Sequence, residues 1–326
     1  MTQTGTAAHK LSAGAAAERR TAHRRKILQT LRDNAELSLM VLPGVVGLIL
    51  FNYLPMYGIV IAFKNYNPVK GIFGSPWVGL KNFEMLFRSS DLFRLLRNTV
   101  LYSLDFLVID MLGCLIVALL LYFMRSRVGV KIYNTIMILP KFMSIVLIAY
   151  IVYSILNPAS GILNQFNVLL GGKKVDWYAK PGAWPVILSV VEVWRSVGYG
   201  CILYYATMVG IDESLFEAAK LDGANRWQQT IHIILPSLKM IICINLILAI
   251  GGLFGGDMGL FYQVPQNITA LYPTTDIINT YTYRGTLSGQ YSTSSAIGLF
   301  QNAVGLLLVL GSNAVVRRIS PENSLL

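Results

Sequence analysis

The sequence predicts an all-α fold, a polytopic membrane protein of six transmembrane helices in one domain. Three observations lead there. Of the 326 residues, 54% are hydrophobic and the mean hydropathy is +0.55. Asp, Glu, Lys and Arg make up only 13%, about half of the roughly 25% that a soluble domain carries. Finally, six apolar stretches approach or exceed the roughly 20 residues that a helix needs to cross the hydrocarbon core.

The stretches are Leu37 to Phe63, Thr99 to Met124, Ile132 to Leu156, Trp184 to Gly210, Met240 to about Gly256, and about Ser295 to Val316. Ahead of the first lies a basic tail, residues 1–36, with Lys10, Arg19, Arg20, Arg24, Arg25, Lys26 and Arg32. The first stretch is too long for a signal peptide and lacks a small-residue cleavage site, so it is expected to be an uncleaved helix. An Arg- and Ala-rich leader also fits an organellar presequence, but Glu18, Asp33 and Glu36 interrupt it. The membrane domain is expected over 37–316, with a short tail at 317–326.

The excess of 27 Lys and Arg over 16 Asp and Glu gives a net charge of +11. Because these charges sit between apolar blocks, they point to membrane orientation and not to nucleic acid. With both ends cytoplasmic, the inner segments hold 15 basic residues and the outer ones 10. Six of the outer ten are Lys64, Lys70, Lys81, Arg88, Arg94 and Arg97, partly on the amphipathic stretch Asn82 to Asn98. Its Phe83, Leu86, Phe87, Leu92, Leu95 and Leu96 are expected to lie in the headgroup plane.

Cys114, Cys201 and Cys243 lie in apolar stretches, and His9, His23 and His232 are far apart. Neither a disulfide framework nor a metal site is expected, so metal chemistry is set aside. Ionisable residues at membrane depth are costly and each is a functional candidate. Asp105 and Asp110 lie five apart, about 140° around a helix, so they share no face. Glu192 and Arg195, three apart, share one and can pair, either neutralising each other or lining a wet path for a polyhydroxylated solute. Asp110, Glu192, Arg195 and Asn245 are the candidates for a substrate pathway. Lys141 follows Pro140, which removes a backbone donor and is expected to kink the third helix; the lysine stem can snorkel.

The strongest signal is a polar loop, residues 212–236. Ser214 followed by Glu217 reads as a capping box that starts a short helix, and Gly223 as its left-handed stop. Asn225 reads as the cap of a second helix that runs until Pro236. Two short helices joined by a glycine make a stiff protruding element.

Glu217-Ala218-Ala219, Gly223, Ile233 and Leu235-Pro236, at these spacings, resemble the EAA loop of binding-protein-dependent ABC importer permeases. Further matches cover most of the chain beyond residue 35. Val78-Gly-Leu-Lys-Asn-Phe83 with Phe93 and Asn98-Thr-Val100 resembles the segment before the second helix of sugar permeases. Leu139-Pro140, Leu156-Asn-Pro158 and Gly161-Ile-Leu-Asn164 resemble their third helix and outer loop. Pro55-Met-Tyr-Gly58 and Ile277-Ile-Asn-Thr-Tyr-Thr-Tyr-Arg284 look like the branch that handles polysaccharide fragments and complex oligosaccharides.

The resemblance implies a type I importer permease fold and a transport subunit, not an enzyme. Its implied ATPase-coupling residues are Glu217, Ala218, Ala219, Asp222, Gly223, Ile233, Leu235 and Pro236. Implied partners are a second homologous permease, two ABC ATPase subunits, an extracytoplasmic binding protein, an oligosaccharide and the lipid of the bacterial inner membrane. No cofactor is expected in this chain. The nearest approach to a P-loop, Gly171-Gly-Lys-Lys174, lacks the upstream glycine, so MgATP would sit on the ATPase subunits. An outer excess of five positive charges, counted against Glu84, Asp91, Asp176, Asp257 and Asp276, raises the expectation of an acidic glycan such as an alginate or another uronate oligomer. The alternative is a proton-coupled secondary transporter that relays protons through Asp105, Asp110 and Glu192.

Overall fold

A computed structural model describes residues 34–89, 91–252 and 254–319. The basic leader up to residue 33 and the last seven residues lie outside the described residues. Among those described, the regular elements are helical, and the one extended pairing is an isolated bridge between Lys64 and Trp77. The chain divides into two units, at Gly58. The first contains α1 (Ala35–Leu48), which continues through a π turn, Ile49–Tyr53, into a short helical turn, Leu54–Met56. Its Leu, Val, Met and Phe side chains are exposed along the whole length, as suits a helix whose solvent is lipid.

The second unit holds α2 (Lys81–Arg88), α3 (Asp91–Tyr122), α4 (Arg127–Phe142), α5 (Ile145–Leu156), α6 (Ile162–Leu169) and α7 (Trp184–Val209). It continues with α8 (Glu213–Leu221), α9 (Arg226–Gln229), α10 (Leu235–Gly251), α11 (Met258–Gln263), α12 (Ile278–Leu287) and α13 (Tyr291–Ile319). Among the described residues five helical stretches are long and apolar enough to cross a membrane, Ala35–Phe63, Asp91–Tyr122, Pro181–Val209, Arg226–Ile250 and Tyr291–Ala314. A sixth results if α4 and α5 count as one broken span.

That broken span corrects the expectation of a single helix from Ile132 to Leu156. α4 and α5 meet at a bend of 100°. Pro140 is accommodated inside the last turn of α4, and the break falls later, where Met143 and Ser144 turn extended. Ser144 then caps α5 by accepting a hydrogen bond from the Leu147 N–H, which supplies the partner that a fresh helix start requires.

α7 is the hub. It packs on α3 along most of its length and on α4 where Gly198 permits it: a Cβ there would lie 1.8 Å from the Met137 carbonyl oxygen, so only glycine lets the two backbones touch. One apolar core gathers around Trp184, Leu188, Leu260 and Leu271 at the start of α7, and a second around Val197, Cys201, Met208, Phe216 and Ile234 toward its end.

The stretch Asn82 to Asn98 is not one interfacial helix. It breaks after Arg88 and restarts at Asp91, and Leu86 and Leu95 are buried in protein against Ile278 and Ile297. Most of the apolar face foreseen for lipid, Leu86, Leu92, Leu95 and Leu96, is used for packing, while Phe87 stays 58% exposed. Asn82 is buried and donates to the carbonyls of Ala62 and Lys64, and the Phe83 ring lies 5.4 Å from that of Phe63, tilted by 44°.

At the same end of α3, a charged knot ties the start of that helix to α12. The Asp276 carboxylate, fully buried, accepts two bonds of 2.7 Å from Arg284 and one from Thr280, and lies 3.4 Å from Arg94. Asn98 donates to the carbonyls of Pro273 and Asp276, and Thr99 accepts from the Ile278 N–H. The two family-like segments around Asn98 and Arg284 are therefore halves of one contact.

Candidate functional site

Helices α3, α7 and α10 and the start of α11 enclose a cavity of about 1200 Å³ whose wall includes Asp110, Glu192, Tyr204, Asn245 and Asp257. Three of the four pathway candidates, Asp110, Glu192 and Asn245, line it directly. Arg195 stands one turn from Glu192, and its guanidinium reaches Glu192 at 2.7 Å and Asp257 at 2.5 Å. Asp110 accepts from the Ser196 hydroxyl at 2.5 Å, and Asn245 donates to the Tyr204 hydroxyl at 3.2 Å.

The helical arithmetic for the two aspartates holds. Asp105 opens into a separate groove of about 920 Å³, where the Ser189 hydroxyl donates to it at 2.5 Å, whereas Asp110 faces the larger cavity. Of the two readings of Glu192 and Arg195 the ion pair forms, and Asp257 adds a second carboxylate to it. With two anions already bound, Arg195 is not a free cation. A fixed array of one guanidinium, three carboxylates, an amide and phenols offers many hydrogen-bond partners to hydroxyl-rich ligands.

Asp257 was missed by sequence reasoning because it lies 62 positions from Arg195. Its place is set by the glycine-rich turn after α10. Asn279 donates to the carbonyls of Gly255 and Gly256, and Gln301 donates to that of Phe254 and to the Asn279 side chain. These two side chains hold the turn so that Asp257 caps α11 through the Leu260 N–H and faces Arg195.

At the opposite end of α7 the polar loop folds as two short helices, with a different start from the one expected. Asp212, not Ser214, is the cap of α8: its carboxylate accepts from the Ser214 N–H, which holds the carboxyl below its ordinary pKa. The capping box thus does not form at Ser214 and Glu217, because an acidic acceptor two residues earlier takes the role and leaves Glu217 exposed. The stop is as the sequence indicated. Gly223 has φ +77°, its N–H bonds to the Lys220 carbonyl, and the Ala224 N–H reaches Ala219 at 2.8 Å. This 6→1 and 5→2 pair closes α8 at Asp222.

Asn225 and Gln228 form a reciprocal capping box that opens α9. The helix does not end at Pro236. A π turn, Thr230–Ile234, carries it into α10 with Pro236 in the first turn, so Ile233, Leu235 and Pro236 belong to a spanning helix and not to the loop. The wider turn fits a residue that lacks an N–H.

Phe216 fastens the loop to the bundle. It is buried in the second core and its ring lies 6.0 Å from that of Tyr122, while Arg226 sits 5.3 Å above the Phe123 ring. On the outer side Leu221 and Trp227 are 90% and 71% exposed.

The chain matches the family described as binding-protein-dependent transport system inner membrane component over residues 111–322. It is 37% identical over 301 residues to the polygalacturonan/rhamnogalacturonan transport system permease protein YteP of Bacillus subtilis (strain 168), covering 92% of this chain and 93% of that protein. Protein LplB of the same organism is 33% identical, with 90% and 92% covered. Among solved structures, a bacterial ABC transporter involved in the import of the acidic polysaccharide alginate superposes with a TM-score of 0.83 at 30% identity, over 90% of this chain and 99% of that one. A structure of the bacterial alginate ABC transporter in complex with an alginate pentasaccharide-bound periplasmic protein gives 0.81 at 30% identity, over 90% and 97%.

Proposed function

This chain belongs to the family of binding-protein-dependent transport system inner membrane components, and we propose that it lines one half of a pathway for an acidic oligosaccharide. It is a multi-pass membrane permease subunit of an ABC importer. The second half of the pathway comes from a homologous permease, the solute from an extracytoplasmic binding protein, and the energy from two ATPase subunits that carry MgATP. The observation that carries this reading is the loop closed by Gly223: stiff, fastened through Phe216 to the helices that wall the cavity, and bare on its outer side where an ATPase subunit would seat. Nothing in the comparisons favours the proton-coupled alternative, and Asp105 opens into a different cavity from Asp110 and Glu192.

The solute class is supported by the names of the relatives, which include carriers of polygalacturonan and of alginate. This chain's own wall sets Asp110, Glu192 and Asp257 against Arg195 alone. On this reading the cations that meet solute carboxylates would come from the second permease or the binding protein. Reconstitution with the cognate ATPases and binding protein, comparing solute-stimulated ATP hydrolysis for neutral and uronate oligosaccharides of equal length, tests this; stimulation by the neutral series alone rejects the acidic solute. Both chain ends and the Asp212 loop would face the cytoplasm. Ser214→Cys should then resist an impermeant thiol reagent in intact cells while Ser288→Cys reacts, and the reverse pattern overturns the orientation.

A further inference from the structure

The segment between α5 and α7 exposes an apolar stripe that the bundle does not use. Ile162, Leu163, Phe166, Leu169 and Leu170 recur at helical spacing along α6 and its C-cap, within an arc of about 120° at about 100° per residue. All five are exposed, Leu169 to 80% and Leu170 to 86%. On the opposite side Val168 is 47% exposed, and the attachment is made by one buried residue. Asn164, 1% exposed, donates to the carbonyls of Asn157, Pro158 and Val175 and accepts from the Val175 N–H. The helix is thus clamped with its greasy face turned away from the protein.

The charges around the stripe indicate what covers it. From Asn157 to Val175 the chain has no acidic residue, and Lys173 and Lys174 follow the stripe directly. Lys173 is exposed, and Lys174, also exposed, donates to the Ala159 carbonyl. The position agrees: α6 begins six residues after the apolar α5 ends, on the side of α7 away from the Asp212 loop. An apolar stripe flanked by lysines at the end of membrane-embedded helices has the pattern of a helix that lies in the headgroup plane.

We propose that α6 is an interfacial anchor on the face opposite the coupling loop, with its stripe in the acyl boundary and Lys173 and Lys174 on anionic phospholipid headgroups. The anchor fixes the depth of α5, which packs against α11 and whose first residue, Ile145, lies beside Gly259, two residues after Asp257.

The test is photo-crosslinking in the complete transporter, with its second permease and ATPase subunits, in vesicles of phosphatidylglycerol and phosphatidylethanolamine. Benzoylphenylalanine is incorporated singly at Phe166, Leu169 and Gln165, and the adducts are identified by mass. Lipid adducts at Phe166 and Leu169 in at least roughly twofold excess over Gln165 are expected for a helix lying in the interface. Adducts to the second permease or to added binding protein at Phe166 and Leu169, or equal yields at all three positions, overturn the proposal. A second arm compares Leu169 adducts in phosphatidylcholine vesicles, and in the Lys173→Gln, Lys174→Gln variant in anionic vesicles. Both should give fewer lipid adducts, and yields indifferent to headgroup and lysine charge reject the anionic contact.

Discussion

The charged knot around Asp276 and the coupling loop around Gly223 carry equally recognisable sequence patterns, yet one buries its polar groups and the other displays them. In the knot, Asp276, Thr280, Asn98 and Thr99 are all under 5% exposed and spend their hydrogen bonds on each other and on nearby backbone. In the loop, Glu217, Asp222 and Gly223 are exposed, while Phe216, Gln229, Thr230 and Ile234 turn inward. A recurring pattern therefore has two physical origins. Polar residues that close internally hold a fold, whereas polar residues on a stiff, exposed turn serve something outside the chain.

The contrast is broken most severely at Asp276. Replacing it with Ala leaves Arg284 without its carboxylate inside the protein, a change of about 3–5 kcal/mol for a buried pair. The Asp276→Ala variant should be recovered in low yield with a lowered unfolding temperature in detergent. Normal yield and stability would mean that the knot is not what joins α3 to α12. At Gly223 the cost is smaller and of another kind. Valine in a left-handed conformation costs about 1–2 kcal/mol, so Gly223→Val should insert and express normally but lose most ATP-driven uptake; uptake at the wild-type rate would detach the loop from coupling. Glu217→Lys should behave likewise by reversing an exposed charge.

Trp227→Ala sharpens the comparison from the exposed side. Removing a side chain that packs on little of its own protein should change stability by less than about 0.5 kcal/mol, while the amount of ATPase subunit that copurifies should drop. Unchanged copurification would make Trp227 a bystander. The smallest effect concerns Asp212. Because its folded pKa is depressed, the cap contributes above the ordinary carboxylate range and is lost as pH falls through the folded value. Protection of the Ser214 amide, taken relative to its intrinsic exchange rate at each pH, should fall in that acid range in the wild type, and a protection that is low at every pH in Asp212→Ala checks the assignment.

How far the sequence carried the argument follows from interaction range. Helix type, five of the six spans and the Gly223 stop depend on hydropathy and on neighbours within a turn or two, and these were readable. The Asn225 cap was readable for the same reason. The α8 start went wrong by two residues because Asp212 and Ser214 are both good caps, and local pattern alone does not rank them. The break between α4 and α5 was looked for at Pro140, yet proline near a helix end is tolerated and Ser144 decides where the next helix begins. Long-range partners left no local trace: Asp257 on Arg195, Pro273 and Asp276 on Asn98, and Ile278 and Ile297 under Leu95. Those contacts converted an apparently lipid-facing amphipathic stretch into a packed one.

The π turn at Thr230–Ile234 sets the rotational phase of everything above it. One extra residue in a turn offsets the helix by about 100°, so the face of α10 that points Asn245 at Tyr204 is offset by that angle from where an uninterrupted α-helix starting at Arg226 would present it. The loop and the cavity wall are thus joined by a shaft with a built-in angular offset. Closing that turn to α geometry would rotate the wall relative to the loop without breaking a covalent bond or unfolding either end.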